Sequence, residues 1–298
     1  MFKRPLICTD MSDGMDRIAK LVPSLAESGM RSPTFLHVVP YEASSGYDMP
    51  REDEEKIEKA KKRLSPALDF SIDGVEVNVE VKSGRIQETV QSVAEQYNCD
   101  VVILGGASRS LLNERLFGST TVALSQKLKC PLLILRPEFI ATLTRAELEL
   151  RCRDLCRTVL LPYNGSSNSD GLVSQFKDIC KADREDGDDY IGCDRCVLIR
   201  IVAEPARNVS VDDNLLAEAK TSLVEAAKPL QELGLDVECQ VKTGEFVSTL
   251  LDSAQGQDIS AIVIASRKRN PILELSVPSK TNKILRRSLY PLLFFPST

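Results

Sequence analysis

A single histidine, His37, is all that the sequence offers for imidazole chemistry, and no pair of carboxylates stands near its glycine-rich loop. Histidine is the commonest general acid or base and the middle member of hydrolytic triads, so dedicated acid-base machinery is not visible. Long apolar runs are missing as well. Stretches such as 101–104, 132–135 and 292–295 fall far short of the ~20 residues that cross a bilayer. Charge of one sign is also lacking: 38 Lys and Arg stand against 43 Asp and Glu, and the net −5 is shared between the two halves. That balance excludes a basic, nucleic-acid-binding module. Lys3 and Arg4 open the chain, but Asp10, Asp13 and Asp16 interrupt what would be the apolar core of an export signal, so the expected location is the cytoplasm. Nine cysteines without such a signal read as reduced thiols rather than a disulfide framework.

What is present is a repeat. With 298 residues and 43% apolar content, the chain has room for two ordinary globular domains. Val81-Lys82-Ser83-Gly84 reappears as Val241-Lys242-Thr243-Gly244, an offset of 160 that then holds without a gap. Ile86 and Val90 map to Phe246 and Leu250, Val102-Ile103-Leu104 to Ile262-Val263-Ile264, Ser119 to Ser279, and Pro131-Leu132-Leu133 to Pro291-Leu292-Leu293. Upstream the offset is 154, with residues 5–10 resembling 159–164. The period is too long for a solenoid and fits two copies of one domain.

Within the first copy, apolar runs at 6–9, 35–39, 101–104 and 132–135 and an alternating stretch at 75–81 predict strands. Helical spacing at 52–68, 86–97 and 120–128 separates them. Strands alternating with helices, most of them apolar on both faces, predict a mainly parallel sheet covered on two sides, an α/β class domain present twice. The expected boundaries are a first domain over 1–137, a helical connector over 138–156 and a second domain over 157–298.

In such sheets ligands bind beyond the carboxyl ends of the strands, where helix N-termini present free N–H groups. The candidate loop therefore follows the strand ending at Leu104. Gly105 and Gly118 let the backbone approach a ligand, Ser119 and Thr120 supply hydroxyls at a helix start, and Arg109 and Arg115 supply positive charge. Such a loop suits a phosphate, although the P-loop and dinucleotide fingerprints are both absent. Asp10, at the end of the first strand, reads equally as a helix cap and as a ligand contact.

Gly105, two residues, Ser108, nine residues, Gly118 and Ser119 resemble the nucleotide motif of the universal stress proteins, in which Ser108 would be glycine. Asp10 and the segment His37-Val38-Val39 match the family's positions near adenine and ribose. The resemblance implies two Rossmann-like domains, each with strand order 3-2-1-4-5. It also implies binding of ATP, or of AMP or ADP, in the first domain, with Mg²⁺ on the phosphates. Thr9, Asp10, Val38, Leu104, Gly105, Ser108, Arg109, Gly118, Ser119 and Thr120 would form the site. Any ATP hydrolysis would be weak, and the role regulatory, exercised on a protein partner. Because single-domain relatives dimerise through their last strand, the two copies are expected to form a dimer-like pair within one chain, with homodimerisation of whole chains also open.

The second copy departs from the motif: Ala265, Lys268 and Pro278 replace the glycines, Ser279 remains, and Asn164 stands at the place of Asp10. Lys268 is bulky where glycine allowed close approach and Pro278 lacks an N–H, so this copy is expected to have lost the nucleotide mode. Two other readings stay open. One is an interaction module that binds no nucleotide; Arg267-Lys268-Arg269, with Lys280, Lys283, Arg286 and Arg287, would then dock an acidic partner, or simply face solvent. The other is a zinc or redox sensor built on Cys152 and Cys156 with Cys193 and Cys196, and Cys180 between them. The acidic stretch 183–189 is expected to be an exposed loop, and His37 a satisfied strand histidine.

Overall fold

The computed structural model describes residues 1–11, 14–41, 51–105, 124, 127–185, 192–204, 212–265 and 280–296. They form two compact units, Phe2–Arg153 and Asp154–Thr298, with Met1 packed into the second.

Aliphatic and β-branched runs favour a pleated, doubly covered surface, and the first unit uses them as strands. These are β1 (Pro5–Thr9), β2 (Thr34–Val39), β3 (Asn78–Ser83), β4 (Val101–Gly105) and β5 (Leu132–Leu135). The order across the sheet is β3-β2-β1-β4-β5, with every neighbouring pair parallel. β1 is buried along its whole length and β5 likewise, as expected for strands covered on both faces. The first strand leads into a short 3₁₀ turn (Met15–Lys20) and helix α1 (Val22–Glu27). Helix α2 (Glu54–Leu64) starts at Asp53, whose side chain accepts the Lys56 N–H at 3.0 Å, and has acidic residues in its first turn and basic ones in its last. Helix α3 (Ile86–Gln96) buries Val90, Val93 and Ala94, one face at helical spacing. After β5 come α4 (Pro137–Thr142) and α5 (Arg145–Arg153), the helical stretch that the sequence reads as a connector; compactness assigns both to the first unit.

The second unit repeats the plan with β6 (Thr158–Pro162), β7 (Arg195–Val202), β8 (Asp236–Thr243), β9 (Ala261–Ala265) and β10 (Leu292–Phe295) in the order β10-β9-β6-β7-β8, again parallel. Its helices are α6 (Ser167–Glu185), α7 (Asp213–Gln231), α8 (Phe246–Gly256) and α9 (Lys280–Arg287). α6 turns Leu172, Val173, Phe176 and Cys180 into the core, and the Phe176 ring meets Phe295 of β10 edge-on at 6.3 Å. It carries residues 183–185 of the acidic stretch as helix, where the sequence predicts a loop.

Matching devices recur at matching positions. Gly84 and Gly244 take φ of +154° and +138°, donate their N–H to Val39 and Val202 carbonyl oxygens at 3.0 Å, and stand against Thr89 and Thr249. Asn98 and Asp258 adopt left-handed backbone after α3 and α8. Asp100 accepts the Lys3 and Arg4 N–H groups at the start of β1, whereas Ser260 does the equivalent for Thr158 at the start of β6.

Candidate functional site

The β1 register pairs Thr9 with His37 and Cys8 with Leu104. Thr9 and Asp10, Val38, and Leu104 and Gly105 therefore leave the sheet side by side at its carboxyl edge. Thr9, Val38 and Leu104 are buried, Gly105 is half-buried and Asp10 is exposed. The Thr9 hydroxyl accepts the Met11 N–H at 2.9 Å, turning the chain into the left-handed backbone of Met11 (φ +67°). His37 Nδ1 lies 2.8 Å from the Thr9 carbonyl oxygen. A carbonyl only accepts, so Nδ1 carries the proton and the ring braces β1 against β2. His37 is thus satisfied within the strand, as the sequence suggests.

Arg63, in the last turn of α2, donates to the Met11 carbonyl oxygen at 2.8 Å and pairs with Asp16 at 2.7 Å, holding the loop after β1 from above. Arg17 donates to the carbonyl oxygens of Ile140 and, at 2.9 Å, of Leu143, fixing the following turn to α4. Sequence reading missed Arg63. It follows Lys61 and Lys62 in a basic final turn, which helix-dipole complementarity explains without any ligand. Ser108, Arg109, Gly118, Ser119 and Thr120 lie outside the described residues.

At the same edge of the second unit the polar groups are turned on one another. Tyr163 stands where Thr9 stands; it is buried, and its hydroxyl donates to Asp170 at 2.7 Å. Burial, then that hydrogen bond, pushes the Tyr163 phenol up to about 12. The Asn164 side-chain oxygen accepts the Ser166 N–H at 3.1 Å, closing a turn over Gly165 at φ +74°. Arg200, one strand over at the His37 level, donates to the Ser222 hydroxyl on α7 and passes close to Gly165. Tyr163 and Arg200 bring bulk to places occupied by threonine and histidine in the first unit. The second loop's Lys268, Pro278 and Ser279 lie outside the described residues, as do Arg267 and Arg269. Lys280, just after them, places its ammonium 4.7 Å from the centre of the Phe246 ring.

The cysteines group differently from their sequence spacing. Cys152 belongs to the first unit, whereas Cys156, Cys193 and Cys196 belong to the second. Among the described residues no three His, Cys, Asp or Glu side chains are grouped so as to hold a metal ion. The four cysteines, each buried, therefore form no metal-binding set. Among the described residues no helix is long and apolar enough to cross a membrane.

A model of the universal stress protein family matches residues 1–136 and 156–296. Universal stress protein G of Shigella flexneri is 29% identical over 107 residues, 34% of this chain and 75% of that protein, and its Escherichia coli O157:H7 counterpart matches equally. Among solved structures, a universal stress protein from Archaeoglobus fulgidus DSM 4304 aligns over 98% of both chains at a TM-score of 0.65 and 17% identity. A putative universal stress protein from Pseudomonas aeruginosa UCBPP-PA14 aligns over 99% of this chain and 94% of its own, at a TM-score of 0.57 and 14% identity. At such identities the likeness is one of fold. The family model covers both copies, and with five parallel strands in the same order in each unit they make the chain a tandem member of the universal stress protein family.

Proposed function

We propose that the first unit binds an adenine nucleotide, ATP foremost, and that its occupancy regulates contact with a protein partner in the cytoplasm. The observation that carries this reading is the convergence of Thr9, Asp10, Val38, Leu104 and Gly105 at one edge of three adjacent parallel strands. That is the place at which open α/β sheets bind ligands. Asp10 is exposed there, where it would meet a ribose, and the chain at Val38, one strand over, would meet the base. The glycine at 105 admits the chain leading to the phosphates, which Ser108, Arg109, Gly118, Ser119 and Thr120 would cradle through N–H groups, hydroxyls and charge. No group of carboxylates among the described residues could hold Mg²⁺ alone, so the ion would arrive on the phosphates.

Nothing in this role needs a chemical step. Arg63 would transmit occupancy, because it ties the loop carrying Asp10 to α2 through the Met11 carbonyl oxygen and Asp16. Titration calorimetry with ATP and Mg²⁺ tests the reading. A single nucleotide per chain is expected, with Gly118→Val weakening binding by tenfold or more, about 1.4 kcal/mol, while the unfolding midpoint stays in place. No heat on titration, and no nucleotide released from purified protein, would leave the interaction-module reading in its place.

A further inference from the structure

We propose that the carboxyl edge of the second unit binds the phosphate group of a small molecule on the Arg200 guanidinium. The first unit shows how an arginine is normally held at this edge. There Arg63 of α2 donates to the carbonyl oxygen of Met11, whose backbone is left-handed, and Asp16 matches its charge at 2.7 Å. The offset of 154 that equates Thr9 with Tyr163 also equates Met11 with Gly165, again left-handed, and Asp16 with Asp170. The buried pairs Ala60 and Leu64 on α2 and Ala219 and Leu223 on α7 bring the two helices into register, so that Ser222 stands where Arg63 stands. The second unit has thus exchanged a helix arginine for a strand arginine. Arg200 of β7 donates to the Ser222 hydroxyl, and its Nη1 lies 3.5 Å from where a Cβ on Gly165 would be.

A guanidinium therefore stands beside the same left-handed turn in both units, but only the first supplies its counter-ion. The equivalent carboxylate, Asp170, accepts the Tyr163 hydroxyl at 2.7 Å instead. On α7, Glu225 is paired with Lys228. Among the described residues the Ser222 hydroxyl is the one hydrogen-bond partner of Arg200, and no carboxylate forms an ion pair with it. Arg200 is half-buried, so water offsets its charge only in part.

The groups around it suit an oxyanion. Ser222 gives its own proton to the Ala219 carbonyl oxygen at 3.0 Å and so meets Arg200 as an acceptor. That uses one of the five N–H groups of a guanidinium, and the planar fork that remains grips two oxygens of an anion at once. Asn164 and Gly165 are exposed, and the missing side chain at Gly165 leaves the approach open. α6 begins two residues later, and the Ser167 and Asn168 N–H groups of its first turn have no partner among the described residues. A phosphate has oxygens enough to meet the guanidinium and these N–H groups together, whereas a carboxylate would be used up by the guanidinium alone.

The test is titration of inorganic phosphate into the full nitrogen-15-labelled chain, with backbone amides followed by NMR and sodium chloride at matched ionic strength as reference. Saturable shifts at Gly165 and Ser167 in the millimolar range are expected, and chloride should move neither. Arg200→Gln should weaken the affinity by about tenfold or more, with Arg200→Lys, which keeps the charge and loses the fork, falling between. Shifts confined to the first unit, no saturation at Gly165, an unchanged affinity in Arg200→Gln, or acetate binding there as tightly as phosphate would each overturn the proposal. The parent spectrum locates the anion by itself, so the outcome stands even if Arg200→Gln does not fold.

Discussion

The two units share a scaffold and differ at one edge of it. Each has five parallel strands in the same order, a glycine at positive φ after its third strand, and a left-handed residue after the next helix. At the carboxyl edge the first unit has Thr9, exposed Asp10 and His37 braced on a backbone carbonyl; the second has Tyr163 bonded to Asp170, Asn164 closing its own turn, and Arg200 reaching Ser222. Packing constrains a core residue from all sides, so the scaffold tolerates little change. At the second edge the polar groups are instead partnered by one another through internal hydrogen bonds.

The strongest way to break this comparison is to truncate the same residue in both cores. Leu133 and Leu293 occupy equivalent places and are fully buried. Leu133→Ala and Leu293→Ala should each cost about 2–5 kcal/mol in denaturant unfolding, because each leaves a cavity in a close-packed sheet. Costs of similar size would uphold a shared scaffold, and a much smaller cost in one unit would show that its core had loosened. Next in size come Gly84→Ala and Gly244→Ala. An added Cβ would sit 2.7 Å from the Thr89 hydroxyl and 2.6 Å from that of Thr249, at backbone angles that L residues avoid. About 1–3 kcal/mol is expected at each. Thr89→Ala and Thr249→Ala should restore only part of it, since they remove the collision and leave the backbone strain.

A smaller effect sharpens the difference at the edge. Tyr163→Phe should cost about 1 kcal/mol, the worth of the hydrogen bond to Asp170. Its pH dependence has a definite sign. The folded phenol titrates near 12 against an ordinary value of 10, so the neutral form is favoured in the folded chain. The parent's advantage over the variant is whole below pH 10 and is lost as pH rises toward 12. Tyr97 in the first unit, raised to about 12 mainly by its hydrogen bond to Glu80, loses stability over the same window whether or not Tyr163 is present.

The strands and the repeat were legible because apolar runs and a constant offset survive without any knowledge of contacts, whereas the strand order followed from the family resemblance. The β3 strand was read as beginning at 75 and begins at Asn78, since alternation alone does not reveal that Val75 still belongs to the turn donating its N–H to Ile72. The strand ends at Asp10, Val38 and Gly105 were legible because apolar runs stop there, while their place in a nucleotide site was read from the family resemblance. Arg63 was not, because its role depends on a loop 52 residues away. Asn164 was noticed as a substitution, yet the rewiring by Tyr163 and Arg200 rests on strand side chains meeting Asp170 on α6 and Ser222 on α7, which no spacing records. The cysteines were paired by proximity in sequence, whereas the fold puts Cys152 in one unit and Cys156, Cys193 and Cys196 in the other.

The smallest expected effect concerns how the equivalent helices α3 and α8 begin. Glu245 accepts the Val247 and Ser248 N–H groups, both at 2.9 Å, while Arg85 at the same place in the first unit makes no such bond. A carboxylate completes the free N–H groups of a first turn and opposes the helix dipole, whereas a guanidinium can do neither. Arg85→Glu should therefore stabilise the first unit by roughly 0.3–1 kcal/mol, and Glu245→Arg should weaken the second. The Ser248 N–H, first among its contacts, holds the Glu245 carboxyl below its ordinary value of 4.5. The cap is thus at full strength above that value and fades as pH falls through the lowered one. Unfolding midpoints of the parent and of Glu245→Gln, which differ at neutral pH, should close up in acid. A gap that persisted there would mean that Glu245 acts through something other than its charge, and that the two helix starts differ by more than a cap.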